Sequence, residues 1–245
     1  MIRKFITYFE NEGKNYTEDL ISVVQDRLDN MDNIKYVVIA SASGDSALKL
    51  YEALGDNIKI INVSHNVGFT APNEKDISDE MISKLSNLGI ETYFGSHAFS
   101  GANRGVTNKY GGHAPLDIVA DTLRMFSHGV KVAAEISIMA ADAGLVPVGE
   151  EILAIGGKGH GVDTAVILTP VNSKDLFDLE IHEIIAMPRQ WLTFFFINVS
   201  VGRNYWVLIN LHFSSCFYTI FLILFIFIFY YFFSCDFASF FNSNS

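Results

Sequence analysis

Three polar segments of this sequence contain residue types that could bind an anionic ligand or carry out acid–base chemistry. The first follows a short β-branched stretch and contains Ser41, Ser43, Gly44 and Ser46. Hydroxyl groups and a glycine at the start of a helix, where backbone N–H groups point outward, meet the physical requirement for holding a phosphate. The segment lacks the Gly-Lys-Ser/Thr ending of a Walker A loop. An ordinary strand-to-helix turn is the competing interpretation.

The second segment is a glycine-rich loop between two apolar runs, Ile155 to Thr164. Gly157, Gly159 and Gly161 lie within it, and glycine allows close approach of a ligand to the backbone. Lys158 and His160 could add positive charge there, and Asp163 could orient a sugar hydroxyl. The alternative is a hairpin connection whose glycines only shape the turn.

The third segment runs from Gly95 to His113 and is predicted to be one long loop. A loop of this length in a compact domain is usually functional or a lid. Arg104 is the best candidate for a bidentate grip on phosphate or carboxylate. Lys109 is a second cation, interpreted as a solvated surface residue.

Histidines and one buried carboxylate provide candidates for acid–base work. His65 and His97 both follow predicted strands and could share the rim of a site with His160. They come from separate loops without metal-ligand spacing or cysteine partners, so a metal site is not predicted. Glu135 lies in an apolar helix four residues after Lys131, which predicts a structural salt bridge. A general acid with a raised pKa is the sharper alternative for Glu135.

Alternating helices and strands position these segments. Thr17 is a plausible helix N-cap and Pro115 a plausible first helical residue. Strands are predicted at 36–40, 57–63, 90–94, 151–155 and 164–168, with a final strand or edge segment at 179–185. Helices are predicted at 17–31, 46–54, 78–88, 115–126 and 130–143. This alternation predicts an α/β fold, with a mostly parallel sheet between two helical layers. Ligands of such sheets bind at the carboxyl ends of the strands.

The charge pattern separates the chain into two parts and limits the partners. Beyond Gln190 the only charged residues are Arg203 and Asp236, so the net charge of −10 belongs to the preceding part. This acidity argues against nucleic acid as a partner but not against an anionic small molecule. No cysteine precedes Trp191, which excludes a disulfide framework and a cysteine-ligated zinc in that part. The sequence leaves a homo-oligomer open.

The sequence therefore predicts a domain at 1–189 and an apolar tail at 190–245 outside it. Residues 217–233 are apolar except for Thr219, and as a helix they would span about 26 Å, close to a hydrocarbon core of roughly 30 Å. One interpretation is a tail anchor that leaves the domain in the cytoplasm. The other is read-through into non-coding sequence.

Four blocks of the sequence resemble a known family. They are residues 37–48, 96–101, 118–126 and 154–166, and the likeness extends over nearly all of residues 5 to 189. The chain is similar to stand-alone proteins that resemble the C-terminal α/β domain of pyruvate kinase. In pyruvate kinase this domain holds a sugar-bisphosphate effector. By position, Ser41, Ser43, Gly44 and Ser46 match its Ser/Thr-rich turn, and Gly157, Gly159, Gly161 and Thr164 its glycine-rich loop.

The resemblance implies a regulatory or non-catalytic module that binds a phosphorylated metabolite or nucleotide. The catalytic barrel is not recognisable in the sequence, so pyruvate kinase activity is not expected. The segment 95–113 is not a pyruvate kinase feature, which leaves room for another ligand. A nucleotide or flavin mononucleotide would offer a phosphate and a ring to stack on Phe99 or Tyr110. The alternative is an enzyme acting on a phosphorylated or flavin-type ligand in the same pocket.

Overall fold

The computed structural model describes residues 3–12, 15–29 and 33–190, together with the backbone of Phe195–Ser200 and Trp206–Leu211. The chain divides into two compact units, Met1–Trp191 and Leu192–Ser245. In the second unit the two described strands pair antiparallel. The predicted membrane segment 217–233 lies outside the described residues, and within them no helix has the length and hydropathy needed to cross a membrane.

The first unit is built around a seven-stranded sheet. Its strands, in chain order, are Thr7–Asn11 (β1), Tyr36–Ala40 (β2), Lys59–Ser64 (β3), Glu91–Phe94 (β4), Ile152–Gly156 (β5), Thr164–Thr169 (β6) and Glu180–Gln190 (β7). Their spatial order is β1-β7-β6-β5-β2-β3-β4, and every pairing is parallel except the two made by β6. After β2 the chain forms β3 and β4 on one side of β2, and it later forms β5 on the other side. The topological switch point therefore lies between β2 and β5.

Helices cover both faces of this sheet. They are Thr17–Leu28 (α1), Asp45–Leu54 (α2), Asp79–Asn87 (α3), Gly101–Tyr110 (α4), Pro115–Arg124 (α5) and His128–Asp142 (α6). Because strand side chains alternate between faces, Val37 and Ile39 of β2 pack in one core cluster with residues of α1, α2 and α3. Val38 packs in a second cluster with residues of α6. The predicted three-layer α/β fold with a mostly parallel sheet is confirmed.

Two local predictions are wrong. Thr17 is not the N-cap of α1 but its first helical residue, and its hydroxyl accepts a hydrogen bond from the Val162 N–H at 3.2 Å. The segment 95–113 is not one long loop, because it contains α4. No residue of α4 is buried, so the helix has no apolar stripe that hydrophobic periodicity could reveal. The N-terminal strand β1, which pairs with β7, was also not predicted.

Candidate functional site

A cavity of about 720 Å³ lies at the carboxyl ends of the strands beside the switch point. Ala40 at the end of β2, Ser64 at the end of β3, and Gly157 directly after β5 all line it. His97, three residues beyond β4, lines it as well. The parallel strands thus bring segments that are far apart in the sequence to one rim, as predicted from the alternation of helices and strands.

The serine turn, residues Ser41 to Ser46, forms one wall of this cavity. Ser41 Oγ accepts a hydrogen bond from the Ser46 N–H at 3.2 Å, and Ser43 Oγ lies 3.4 Å from the Asp45 N–H. The Ser43 hydroxyl also donates to Asp45 Oδ2 at 2.7 Å. These hydroxyls cap the first turn of α2. Hydroxyl groups and the positive end of a helix dipole therefore meet at this wall.

Gly44 is the N-cap of α2 but does not line the cavity. Its φ of +87° lies in the left-handed region, and a Cβ there would come within 2.7 Å of Met81 Cγ. Glycine is thus required at this position both by the backbone and by the packing of α3 against the turn.

The glycine loop contributes Gly157, Gly159 and Gly161 to the same cavity. At Gly161, φ is +77° and a Cβ would lie 2.4 Å from Thr17 Oγ1. No side chain fits at Gly161 between this loop and the start of α1. His160 of the same loop also lines the cavity, as predicted. The two predicted loops are therefore brought together.

Of the eleven residues predicted for the site, eight line the cavity, and Gly44, Lys158 and Thr164 do not. The Lys158 ammonium donates to Glu12 Oε2 at 2.7 Å. Thr164 is fully buried, with its hydroxyl 2.8 Å from Asp163 Oδ1 and 3.2 Å from Ser127 Oγ. The side chains of Lys158 and Thr164 thus make contacts that stabilise the glycine loop, and they do not line the cavity.

Four Lys or Arg side chains line the cavity: Lys49, Arg104, Arg124 and Lys131. Three of them pair with carboxylates: Lys49 with Glu18, Arg124 with Asp121 and Lys131 with Glu135. Arg104 lies 6.0 Å from the centre of the Phe69 ring and pairs with no carboxylate in the described part of the chain. Arg104 is thus the lining cation best placed to meet a ligand anion.

The carboxylate of Glu135 is almost completely buried beneath the cavity. It accepts a hydrogen bond from the Phe99 N–H at 3.0 Å and forms an ion pair with Lys131. His97 Nδ1 lies 3.4 Å from Glu135 Oε2. Burial alone would raise the pKa of Glu135, but the His97 hydrogen bond and the Lys131 ammonium together lower it to about 2. The predicted salt bridge is confirmed, and the general acid with a raised pKa is wrong.

The neighbouring wall carries two residues, Phe69 and Asp76, that are not among the site residues predicted from the sequence. His65 Nδ1 lies 2.6 Å from Asp76 Oδ2, and the Phe69 ring stacks on His65 with ring centres 4.0 Å apart. Hydrogen bonds from His65 and then Thr70 hold the pKa of Asp76 below its usual value. His65, Phe69 and Asp76 all lie in the segment between the end of β3 and the start of α3. The only feature of this segment that pointed to a site was His65, a histidine directly after a predicted strand.

The two rings expected to stack on a nucleotide or flavin are not in the cavity. Phe99 is 1% exposed and belongs to a core cluster, whereas Tyr110 is 74% exposed and does not line the cavity. Phe69 is the phenylalanine that lines it. A ligand ring would therefore meet Phe69 rather than Phe99 or Tyr110.

His128, the first residue of α6, is a further titratable residue that lines the cavity. Burial lowers its pKa to about 4, and the nearby Lys131 and Arg124 add to this effect. His128 is therefore neutral at pH 7. In the described residues no group of three or more His, Cys, Asp or Glu side chains is arranged to hold a metal ion.

The first unit is a mostly parallel α/β domain with a cavity at the switch point of its sheet, the place where ligands of such sheets bind. The family model described as "Pyruvate kinase, alpha/beta domain" matches residues 18–168, more than half of the chain. The chain therefore belongs to the pyruvate kinase alpha/beta domain family.

Among solved structures, the chain is similar to a pyruvate kinase from Cryptosporidium parvum, at 14% identity and a TM-score of 0.32. The similarity covers 64% of this chain and 23% of that one, so the chain spans about a quarter of the length of that enzyme.

Proposed function

We propose that this domain is a regulatory binding module for a phosphorylated metabolite or nucleotide, without pyruvate kinase activity of its own. The observation that carries the proposal is the convergence of the serine turn, the glycine loop and Arg104 on one cavity at the switch point. Together they offer hydroxyl groups, backbone and a guanidinium, which are the groups that proteins use to hold phosphate. The resemblance of the serine turn and the glycine loop to the effector-binding elements of pyruvate kinase supports the same site.

The carboxylate beside the serine turn opposes an anion bound there. Asp45 lies in the first turn of α2 and accepts a hydrogen bond from Ser43. Its side chain is exposed, so it can turn toward solvent when an anion enters. Removing its charge should strengthen anion binding. A unit charge at about 4 Å in water is worth about 1 kcal/mol, so Asp45→Asn should tighten binding roughly five-fold.

The test is thermal unfolding of the full chain with inorganic phosphate, pyrophosphate, ribose 5-phosphate or adenosine monophosphate. A ligand at about 100 times its Kd stabilises the folded state by about 2.7 kcal/mol. For a domain of this size that raises Tm by roughly 5–10 °C. Unphosphorylated ribose and adenosine serve as matched compounds and should have no effect.

Two variants locate the binding site. Arg104→Gln removes a charge-assisted contact of about 1.5–3 kcal/mol and should weaken binding at least ten-fold. Ser43→Ala with Ser46→Ala should weaken it as well. Lys84→Gln and Ser22→Ala alter exposed residues outside the cavity and are the controls. Equal stabilisation of the wild type and the cavity variants would show that the ligand binds elsewhere, and no stabilisation by any phosphorylated compound would refute the function.

A further inference from the structure

Two imidazoles stand side by side on the wall of the cavity, and each is held by its own carboxylate. His65 is held by Asp76 and His97 by Glu135, in both cases through Nδ1. The ring centres of the two histidines are 5.7 Å apart. A binding site for a phosphate alone has no need of such a pair, because the serine turn, the glycine loop and Arg104 already provide the anion contacts.

The carboxylates determine which ring nitrogen of each histidine is available for chemistry. An ionised carboxylate accepts the hydrogen of Nδ1, which leaves the lone pair of the neutral ring on Nε2. Asp76 and Glu135 both have a lowered pKa and stay ionised at neutral pH. In each histidine Nε2 is thus the nitrogen that exchanges a proton with a ligand: it accepts one when the ring is neutral and donates one when the ring is protonated. Asp76 and Glu135 are positioning residues.

His97 Nε2 is buried and has no hydrogen-bond partner in the described part of the chain. A buried polar atom without a partner is uncommon in folded proteins and calls for an explanation. His97 lines the cavity, and its ring lies 5.3 Å from that of Phe69. Phe69 is 41% exposed, so its ring has room to turn aside when a ligand enters. A ligand that enters there can bring a proton-bearing atom to Nε2.

The geometry points to a proton-transfer reaction on the bound ligand, with His97 as base and His65 as acid, which isomerises a phosphorylated hydroxy-carbonyl compound. This inference rests on the proposed function, because the phosphate contacts hold the ligand against the two rings. Rings 5.7 Å apart can reach neighbouring atoms of one small molecule.

The protons balance without a further reactant. His97 Nε2 removes the proton from the carbon beside the carbonyl, and that electron pair forms a carbon–carbon double bond. The carbonyl oxygen takes a proton from the His65 imidazolium, which gives an enediol. His65 then accepts the proton of the neighbouring hydroxyl, and His97 returns its proton to the former carbonyl carbon. The ligand is isomerised, and both rings regain their starting states.

The experiment incubates the full chain in D₂O with ribose 5-phosphate, glucose 6-phosphate or dihydroxyacetone phosphate. Proton NMR then measures the replacement of the hydrogen beside the carbonyl by deuterium. General acid–base groups contribute about 10²–10⁴-fold to a rate, so His97→Gln and His65→Gln should each slow exchange at least about 100-fold. Because His65 is the more exposed ring, its variant remains informative if His97→Gln fails to fold. His113→Gln, exposed and outside the cavity, should exchange at the wild-type rate.

Asp76→Asn separates positioning from mere structural support. It should slow exchange at saturating probe, while the probe concentration for half-maximal rate changes less than two-fold. Thermal stabilisation by the same probes is measured in parallel. Stabilisation without deuterium exchange would overturn the isomerisation and leave the binding function standing. No stabilisation and no exchange with any probe would overturn both.

Discussion

Replacing Lys131 by methionine tests the electrostatics of the cavity floor most directly. Lys131 and Glu135 are 5% and 2% exposed and form an ion pair one turn apart on α6. The substitution keeps the length of the side chain but leaves the Glu135 carboxylate buried without its cation. Breaking a buried pair from one side costs about 3–5 kcal/mol. We expect a loss of this size in the free energy of unfolding at pH 7.5.

The pH dependence of stability gives a second estimate of how much the Glu135 carboxylate contributes to the free energy of unfolding. The pKa of Glu135 is about 2 in the folded chain against an ordinary 4.5, and each pH unit of that difference corresponds to about 1.4 kcal/mol. The folded pKa is the lower one, so the contribution is fully present above pH 4.5. It is lost as the pH falls from 4.5 toward 2. The ionised carboxylate therefore contributes about 3 kcal/mol at neutral pH.

Urea unfolding of the full chain, followed by circular dichroism at 222 nm at pH 7.5, 5 and 3, measures both effects. Lys131→Met should be less stable at pH 7.5 and should lose less than the wild type between pH 5 and 3. The double variant Lys131→Met with Glu135→Gln removes both charges and should recover most of the stability. A loss below about 1 kcal/mol for the single variant at pH 7.5, or an unchanged acid profile, would refute the reasoning.

Three further predictions concern the frame of the cavity. His128 should titrate by NMR near its folded pKa of about 4, against an ordinary 6.5; its contribution to stability is present above pH 6.5 and lost as the pH falls toward 4. Ser127→Ala removes the buried N-cap of α6, which accepts from the Val130 N–H at 3.0 Å, and should cost about 1–2 kcal/mol in urea unfolding. Gly156→Ala would place a Cβ 2.5 Å from the Gly129 carbonyl oxygen, and the resulting overpacking should cost about 1–3 kcal/mol or more, seen as a lower Tm.

The central part of the fold could be predicted because local and global signals agree there. The run Tyr36–Ala40 is apolar on both faces, as expected for a strand covered by helices on each side. Ser78 caps α3 through the Met81 N–H at 3.1 Å, as predicted. Once the sheet is mostly parallel, the segments after its strands must meet at one edge. The meeting of the serine turn with the glycine loop could therefore be expected from the sequence alone.

The remaining parts depend on contacts that leave little trace in the sequence. Phe69 and Asp76 enter the cavity because the segment between β3 and α3 folds back on His65, and no periodicity marks such a return. Phe99 lies in a glycine-rich segment, and that position favours a ligand-stacking ring. It is instead packed with α5 and α6 residues, where its burial stabilises the core.

A carboxylate outside the cavity holds α4, the helix that carries Arg104. Asp117, near the start of α5, accepts hydrogen bonds from Asn103 Nδ2 at 2.9 Å and from the Thr107 hydroxyl at 3.1 Å. Asn103 and Thr107 lie four positions apart and share one side of α4, and Arg104 stands between them in the sequence. Because α4 buries no residue of its own, these polar contacts, rather than a hydrophobic stripe, hold it in place. The position of Arg104, which lines the cavity, thus depends on Asp117, which does not line it.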